Sequence, residues 1–194
     1  SLFQEAKPFF YSSLSSTIKE YSIPIIIGSF LDMRAVAIYD LANKLILVPR
    51  TIFLSINAAI FPKLIVNLST QVVKQVIKYE YVLSGVAIAG VIVFGKYFVV
   101  LMGGENMVQA YSLAILLSVT IMSWLVVGAY INFVFLPNNR QDEIVKNQLI
   151  AMISFFIFCL VGIWFVSRNI MTVGISITLS SIIEMLYCLF ITRK

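Results

Sequence analysis

Long apolar runs separated by short polar clusters set the pattern of this chain. Six runs have the length and character of membrane-crossing helices: roughly Ala6–Phe30, Ala35–Leu64, Tyr81–Met102, Ala110–Leu136, Ile144–Val166 and Val173–Ile191. A helix needs ~20 mostly apolar residues to cross a bilayer. The pattern predicts an all-α, polytopic membrane helix bundle of six transmembrane helices, forming a single unit over residues 1–194. LDMRA, GGEN and SRNIM join the runs on one side, and NLSTQVVKQVIKYE and PNNRQDEIVKN join them on the other.

The first of the longer connections has its own pattern. Val72, Val73, Val76 and Ile77 share one helical face, opposite Lys74, Gln75 and Lys78. That spacing predicts an amphipathic segment lying at the membrane interface, capped by Ser69 or Thr70, with an inward extension of the third run as the alternative. Pro8 falls in the expected first turn of the first run, and Pro24 is expected to kink its outer half. Gly85, Gly90 and Gly95 in the third run read as positions of close helix packing.

Composition agrees with the pattern. The chain is 60% hydrophobic and only 12% charged, with a mean hydropathy of +0.98. Soluble domains are about 45–50% apolar and about 25% charged. In a membrane setting the net charge of +5 speaks of topology and cavity lining, not of nucleic acid. Lys7, Lys63, Lys74, Lys78, Arg140, Lys146, Arg193 and Lys194 gather on one side, while Arg34 and Arg168 lie on the other with Lys96 near them. The positive-inside rule then expects both chain ends in the cytoplasm. There is no His, and Cys159 and Cys188 sit inside apolar runs. No metal site, disulfide framework, cofactor motif or enzymatic constellation is expected. The start at Ser1 carries no secretory leader pattern.

Polar residues inside the runs are the candidates for function, because ionisable groups at membrane depth are costly and normally face a cavity. In the first run Ser12, Ser16 and Lys19 form a stripe with Glu20 beside it. In the second, Asn43, Arg50 and Asn57 repeat every seven residues, with Asp40, Lys44, Thr51 and Ser55 on an adjacent face. Lys19 and Lys44 both fall ~15 Å below the outer surface, with Arg50 deeper. The expectation is a cationic substrate-binding cavity of Lys19, Lys44 and Arg50, suited to a phosphate group, with Ser16, Asn43, Asn57 and Asn132 as polar lining. A closed set of ion pairs, Asp40 with Lys44 and Glu20 with Lys19 or Arg50, is the structural alternative. Glu184, and with it Glu20, is a candidate for carrying protons; the alternative for Glu184 is a hydrogen bond to Ser180, Ser181 or a neighbouring helix that only orders the bundle. Trp124, Tyr111, Tyr130 and Tyr187 read as packing or interface anchors.

The segment IIIGSFLDMRAVAIYDLANKLILVP resembles one found in lipid-linked oligosaccharide flippases. These are the Wzx-type O-antigen and polysaccharide exporters of the multidrug/oligosaccharidyl-lipid/polysaccharide superfamily. FLPNNRQDEIVKNQLI and TVGISITLSSIIEML, which includes Glu184, are similar to that family's late inner loop and final helix. The resemblance implies one lobe of a two-lobe transporter, here the second, C-terminal half, with an N-terminal six-helix lobe as partner. It also implies flipping of undecaprenyl-diphosphate-linked oligosaccharide across the inner membrane by alternating access. A cation-coupled multidrug exporter of the same superfamily and a non-transporting membrane scaffold are the alternatives.

Overall fold

A computed structural model describes the backbone of residues 2–65 and 69–192, and the side chains of 7–60 and 69–192. Lys63 (by its side chain), Arg193 and Lys194, which the charge argument above uses, lie outside the described residues. The described residues form six long helices: α1 Leu2–Phe30, α2 Met33–Ile65, α3 Thr70–Gly103, α4 Gln109–Tyr130, α5 Gln141–Val161 and α6 Ile170–Thr192. A short 3-10 turn, Glu105–Met107, precedes α4; π-helical turns, Ile131–Phe135 and Gly162–Val166, extend α4 and α5. The described residues contain no strand. The fold is an all-α polytopic membrane bundle. Four helices are long and apolar enough to cross a membrane: α3, α4 and α5 with their π turns, and α6. At 29 and 33 residues, α1 and α2 have the length too, about 1.5 Å per residue, but they are less apolar than the other four.

Local chemistry explains several boundaries. Asp32 starts α2 by accepting the Ala35 amide at 2.6 Å, a capping contact that satisfies one free N–H of the first turn. Ser69 caps α3, its Oγ accepting the Val72 amide at 3.3 Å. The amphipathic stretch after it does not lie apart at the interface; it is the first part of one continuous α3. Its apolar positions flow in register into the inner face of the helix, Glu80, Ser84, Ala87, Val91, Gly95 and Val99, so no break is needed. Pro8 lies inside α1 rather than in its first turn, because the helix begins at Leu2; Pro24 is also internal.

The packing makes α4 the centre. It touches α2, α3 and α6, while α5 packs on α6 and α1. The five helices α1, α2, α4, α6 and α5 thus form a ring, with α3 outside on α2 and α4. Ile27, Ala42, Leu113, Ala114, Phe155 and Val173 are buried to the last percent at its core. Hydrogen bonds cross between helices, as favoured where lipid offers no competing partners. Tyr111 Oη donates to the Ile92 carbonyl at 2.7 Å, and Thr178 Oγ1 donates to the Leu116 carbonyl at 3.2 Å.

The glycines of α3 split. Gly95 packs against the Tyr111 ring, but a Cβ at Gly85 or Gly90 would meet nothing within 4 Å. Gly85 is exposed and Gly90 lines an open groove beside α2, so neither serves close packing among these helices. The close approach is elsewhere: a Cβ at Gly174 in α6 would stand 2.5 Å from Leu113 Cδ1 of α4. At the end of the bundle holding the three short turns, Asp32, Arg34, Gln109, Arg168 and Asn169 surround a depression of about 480 Å³, so those turns do share one side.

Candidate functional site

Inside the ring lies a cavity of about 310 Å³, walled by five helices. Helical periodicity decides which residues reach it. From α1 come Ser12, Ser16, Lys19, Glu20 and Ile23; from α2, Tyr39, Asn43, Ile46 and Arg50. In each case the spacing of three, four and seven marks one face. α4 supplies Thr120, Ile121, Ser123 and Trp124, α5 supplies Gln148, and α6 supplies Ile177, Ser181 and Glu184.

The charged groups are arranged as follows. Arg50 stands with its guanidinium carbon 4.2 Å from the Trp124 ring centre, a cation–π contact that holds the side chain across the cavity. Its Nη1 lies 3.9 Å from Glu20 Oε1, a long ion pair whose carboxylate side is 59% exposed. Glu184 Oε1 accepts a hydrogen bond from Gln148 Nε2 at 2.9 Å, tying α6 to α5. Lys19 is partly buried and stands in the fields of Glu184 and Glu20. Two cations and two carboxylates therefore share one space, which is formally neutral.

The hydroxyl groups are largely committed as donors. Ser16 Oγ donates to the Ser13 carbonyl at 2.9 Å and Thr120 Oγ1 to the Leu117 carbonyl at 2.6 Å. Ser123 Oγ donates to the Ser181 carbonyl of the neighbouring helix. Their oxygen lone pairs remain to accept.

The nine residues singled out from sequence thus divide. Lys19, Arg50, Ser16, Asn43, Glu20 and Glu184 come together around the cavity. Lys44 does not. It pairs with Asp40 at 2.7 Å on the opposite flank of α2, where both side chains are more than half exposed. The three cations therefore do not converge on one volume, because Lys44 is rotated one residue off the face that carries Asn43. Lys44 instead edges an apolar groove of about 630 Å³ between α2 and α3, lined by Val48, Phe94 and Phe98 among others. Asn57 turns toward α3, with its side chain beside that of Glu80. Asn132 is partly buried in the π turn after α4 and is not among the cavity-lining residues.

Sequence reasoning passed over Gln148, Trp124 and Glu80. Gln148 is an isolated amide in an apolar run, and its distant partner Glu184 leaves no local trace. Trp124 in an apolar run reads as packing, although its helix also presents Thr120 on the same face. Glu80 was assigned to a connection, yet only 3% of it is exposed and its Oε2 has no hydrogen-bond partner.

Residues 1–68 match the model of a family described as "Polysaccharide biosynthesis protein". The matched stretch contains the whole of α1 and α2, and so supplies Ser16, Lys19, Glu20, Asn43 and Arg50 to the cavity. Among curated proteins and among solved structures nothing matched. The family likeness and the apolar helices together support a multi-pass membrane protein connected with polysaccharide biosynthesis.

Proposed function

We propose that this chain is one lobe of a transporter that moves a lipid-linked, anionic oligosaccharide across the inner membrane, with undecaprenyl diphosphate as the carrier lipid. The observation that carries this reading is the charged cavity inside a bundle of apolar helices, two of whose walls are the stretch similar to the polysaccharide-biosynthesis family. Charged groups in that medium are expensive and normally face a bundle interior or a watery cavity. Lys19 and Arg50 offer donors to the head group, while the lipid tail stays outside the bundle. Glu184 and Glu20 are the groups placed to carry protons during the cycle. No bond is made or broken.

In this reading α1 and α2 also face a second lobe. Asp40 and Lys44 stand out from α2 at membrane depth, and an exposed ion pair suits a water-filled passage or a protein partner far better than lipid. Rocking of the two lobes then alternates access to the two leaflets. Both chain ends lie in the cytoplasm.

One observation favours a second reading, a cation-coupled multidrug exporter. The cavity holds two carboxylates, Glu20 and Glu184, which suit a positive solute. A single experiment separates the two. Cells expressing Arg50→Glu in the full protein are assayed for surface polysaccharide and for export of cationic dyes, with the protein quantified in the membrane. Loss of surface polysaccharide, with lipid-linked glycan accumulating on the inner leaflet, supports the glycan reading. Unchanged polysaccharide with altered dye export supports the other.

A further inference from the structure

We infer that the cavity receives a sugar unit of the transported molecule and not its diphosphate; this rests on the glycan reading above. A diphosphate only accepts hydrogen bonds and carries several negative charges, so its site should offer donors and positive charge. This cavity offers an even balance. Against Lys19 and Arg50 stand Glu20 and Glu184, and Arg50 is already shared between Glu20 at 3.9 Å and the Trp124 ring at 4.2 Å. The hydroxyls of Ser16, Thr120 and Ser123 spend their hydrogens on backbone carbonyls. They present only acceptor oxygens to a ligand, which a phosphate cannot use.

A sugar ring fits this lining. Each sugar hydroxyl both donates and accepts, so it can give its hydrogen to Glu20, Glu184 or a serine oxygen while accepting from Lys19, Asn43 or Arg50. With the Trp124 ring covered by Arg50, the side chains of Ile23, Ile46 and Ile177 supply the apolar wall for the C–H face of a pyranose, beside the polar groups that meet its edge. The volume agrees as well. About 310 Å³ lies at the low end of the roughly 300–1,000 Å³ of small-molecule pockets, which suits a single sugar residue and not a whole oligosaccharide.

The chain carries two tryptophans, Trp124 in the cavity and Trp164 on the outer surface, 67% exposed. Within residues 1–194, Trp164→Phe therefore leaves Trp124 as the single indole, and in the full protein the difference in emission from the same variant carrying Trp124→Phe isolates its signal. Its emission is followed in detergent while methyl glycosides of glucose, galactose and N-acetylglucosamine, or inorganic pyrophosphate, are added. The inference expects a saturable shift with at least one glycoside and none with pyrophosphate. Glu20→Gln, at an exposed side chain that tolerates exchange, should weaken glycoside binding by about tenfold, the scale of one charged hydrogen bond. A saturable response to pyrophosphate alone overturns the inference and leaves the transport reading standing. No response to either ligand class overturns the inference and also removes the cavity from the transport reading.

Discussion

Arg50 of α2 lies over the ring of Trp124 of α4, 4.2 Å from guanidinium carbon to ring centre. The contact fixes a long cationic side chain across the cavity and leaves its nitrogens free to reach α1. It joins the helix pair similar to the polysaccharide-biosynthesis family to the helix at the centre of the bundle.

Trp124→Leu removes this platform while keeping an apolar side chain of fair size. A cation–π contact contributes about 0.5–2 kcal/mol depending on desolvation, and Arg50 is about one-third exposed. The expected loss therefore lies toward the lower end of that range. It should be read from the midpoint of denaturant unfolding in mixed micelles. Arg50→Met in the same background should add little further loss, since the two residues act on one contact.

The pair on the other flank of α2 should behave differently. Asp40 and Lys44 sit at i, i+4 with more than half of each side chain exposed. Such exposed helix pairs contribute about 0.3–0.5 kcal/mol. Lys44→Met should therefore change the unfolding midpoint barely, and it should leave ligand-induced Trp124 emission unchanged, since Lys44 is outside the cavity. If the second lobe docks over this flank, transport of glycan in cells should fall while the amount of protein in the membrane is maintained.

Two glycines offer a contrast within one measurement. Gly174 lies where α6 meets α4, and a Cβ there would stand 2.5 Å from Leu113 Cδ1. Gly174→Val should overpack this crossing and cost about 1–3 kcal/mol. At Gly90 a Cβ meets nothing within 4 Å, and Gly in a helix interior costs about 0.5–1 kcal/mol relative to Ala. Gly90→Ala should thus raise the thermal midpoint of the purified protein, and Gly174→Val should lower it.

How much of this could be read from residues alone follows from what periodicity encodes. The six helices and the side on which each turn lies came from apolar runs and turn residues, which are local. The cavity faces of α1 and α2 came from the spacing of Lys19 with Ser12 and Ser16, and of Asn43 with Arg50. Lys44 was misplaced because one residue is a 100° turn of a helix. A broad polar strip does not say where one face ends. Glu184 was visible as an acid in an apolar run, but its partner Gln148 is 36 residues away, and no single-sequence pattern links them. The balance of charge in the cavity depends on that tertiary packing, and so did the change from a cationic site to a neutral one.

Glu80 is the remaining test of how this bundle handles charge. It is 3% exposed on the inner face of α3, one of its carboxylate oxygens has no hydrogen-bond partner, and its neighbour is the neutral Asn57 amide. Among the described residues no cation pairs with it. A buried carboxyl group with an unsatisfied oxygen opposes folding, because the water it gives up is replaced only in part, by the Asn57 amide beside it. Gln keeps the shape and removes the charge, so Glu80→Gln should stabilise the protein at neutral pH, on the order of 1–3 kcal/mol, the usual cost of an unsatisfied polar group. Asn57→Leu should act in the opposite sense, since it strips the carboxylate of the one amide beside it. Both are measured by chemical denaturation in micelles at one fixed pH. A loss of stability in Glu80→Gln would mean that the carboxyl makes a contact in the folded protein that an amide cannot replace.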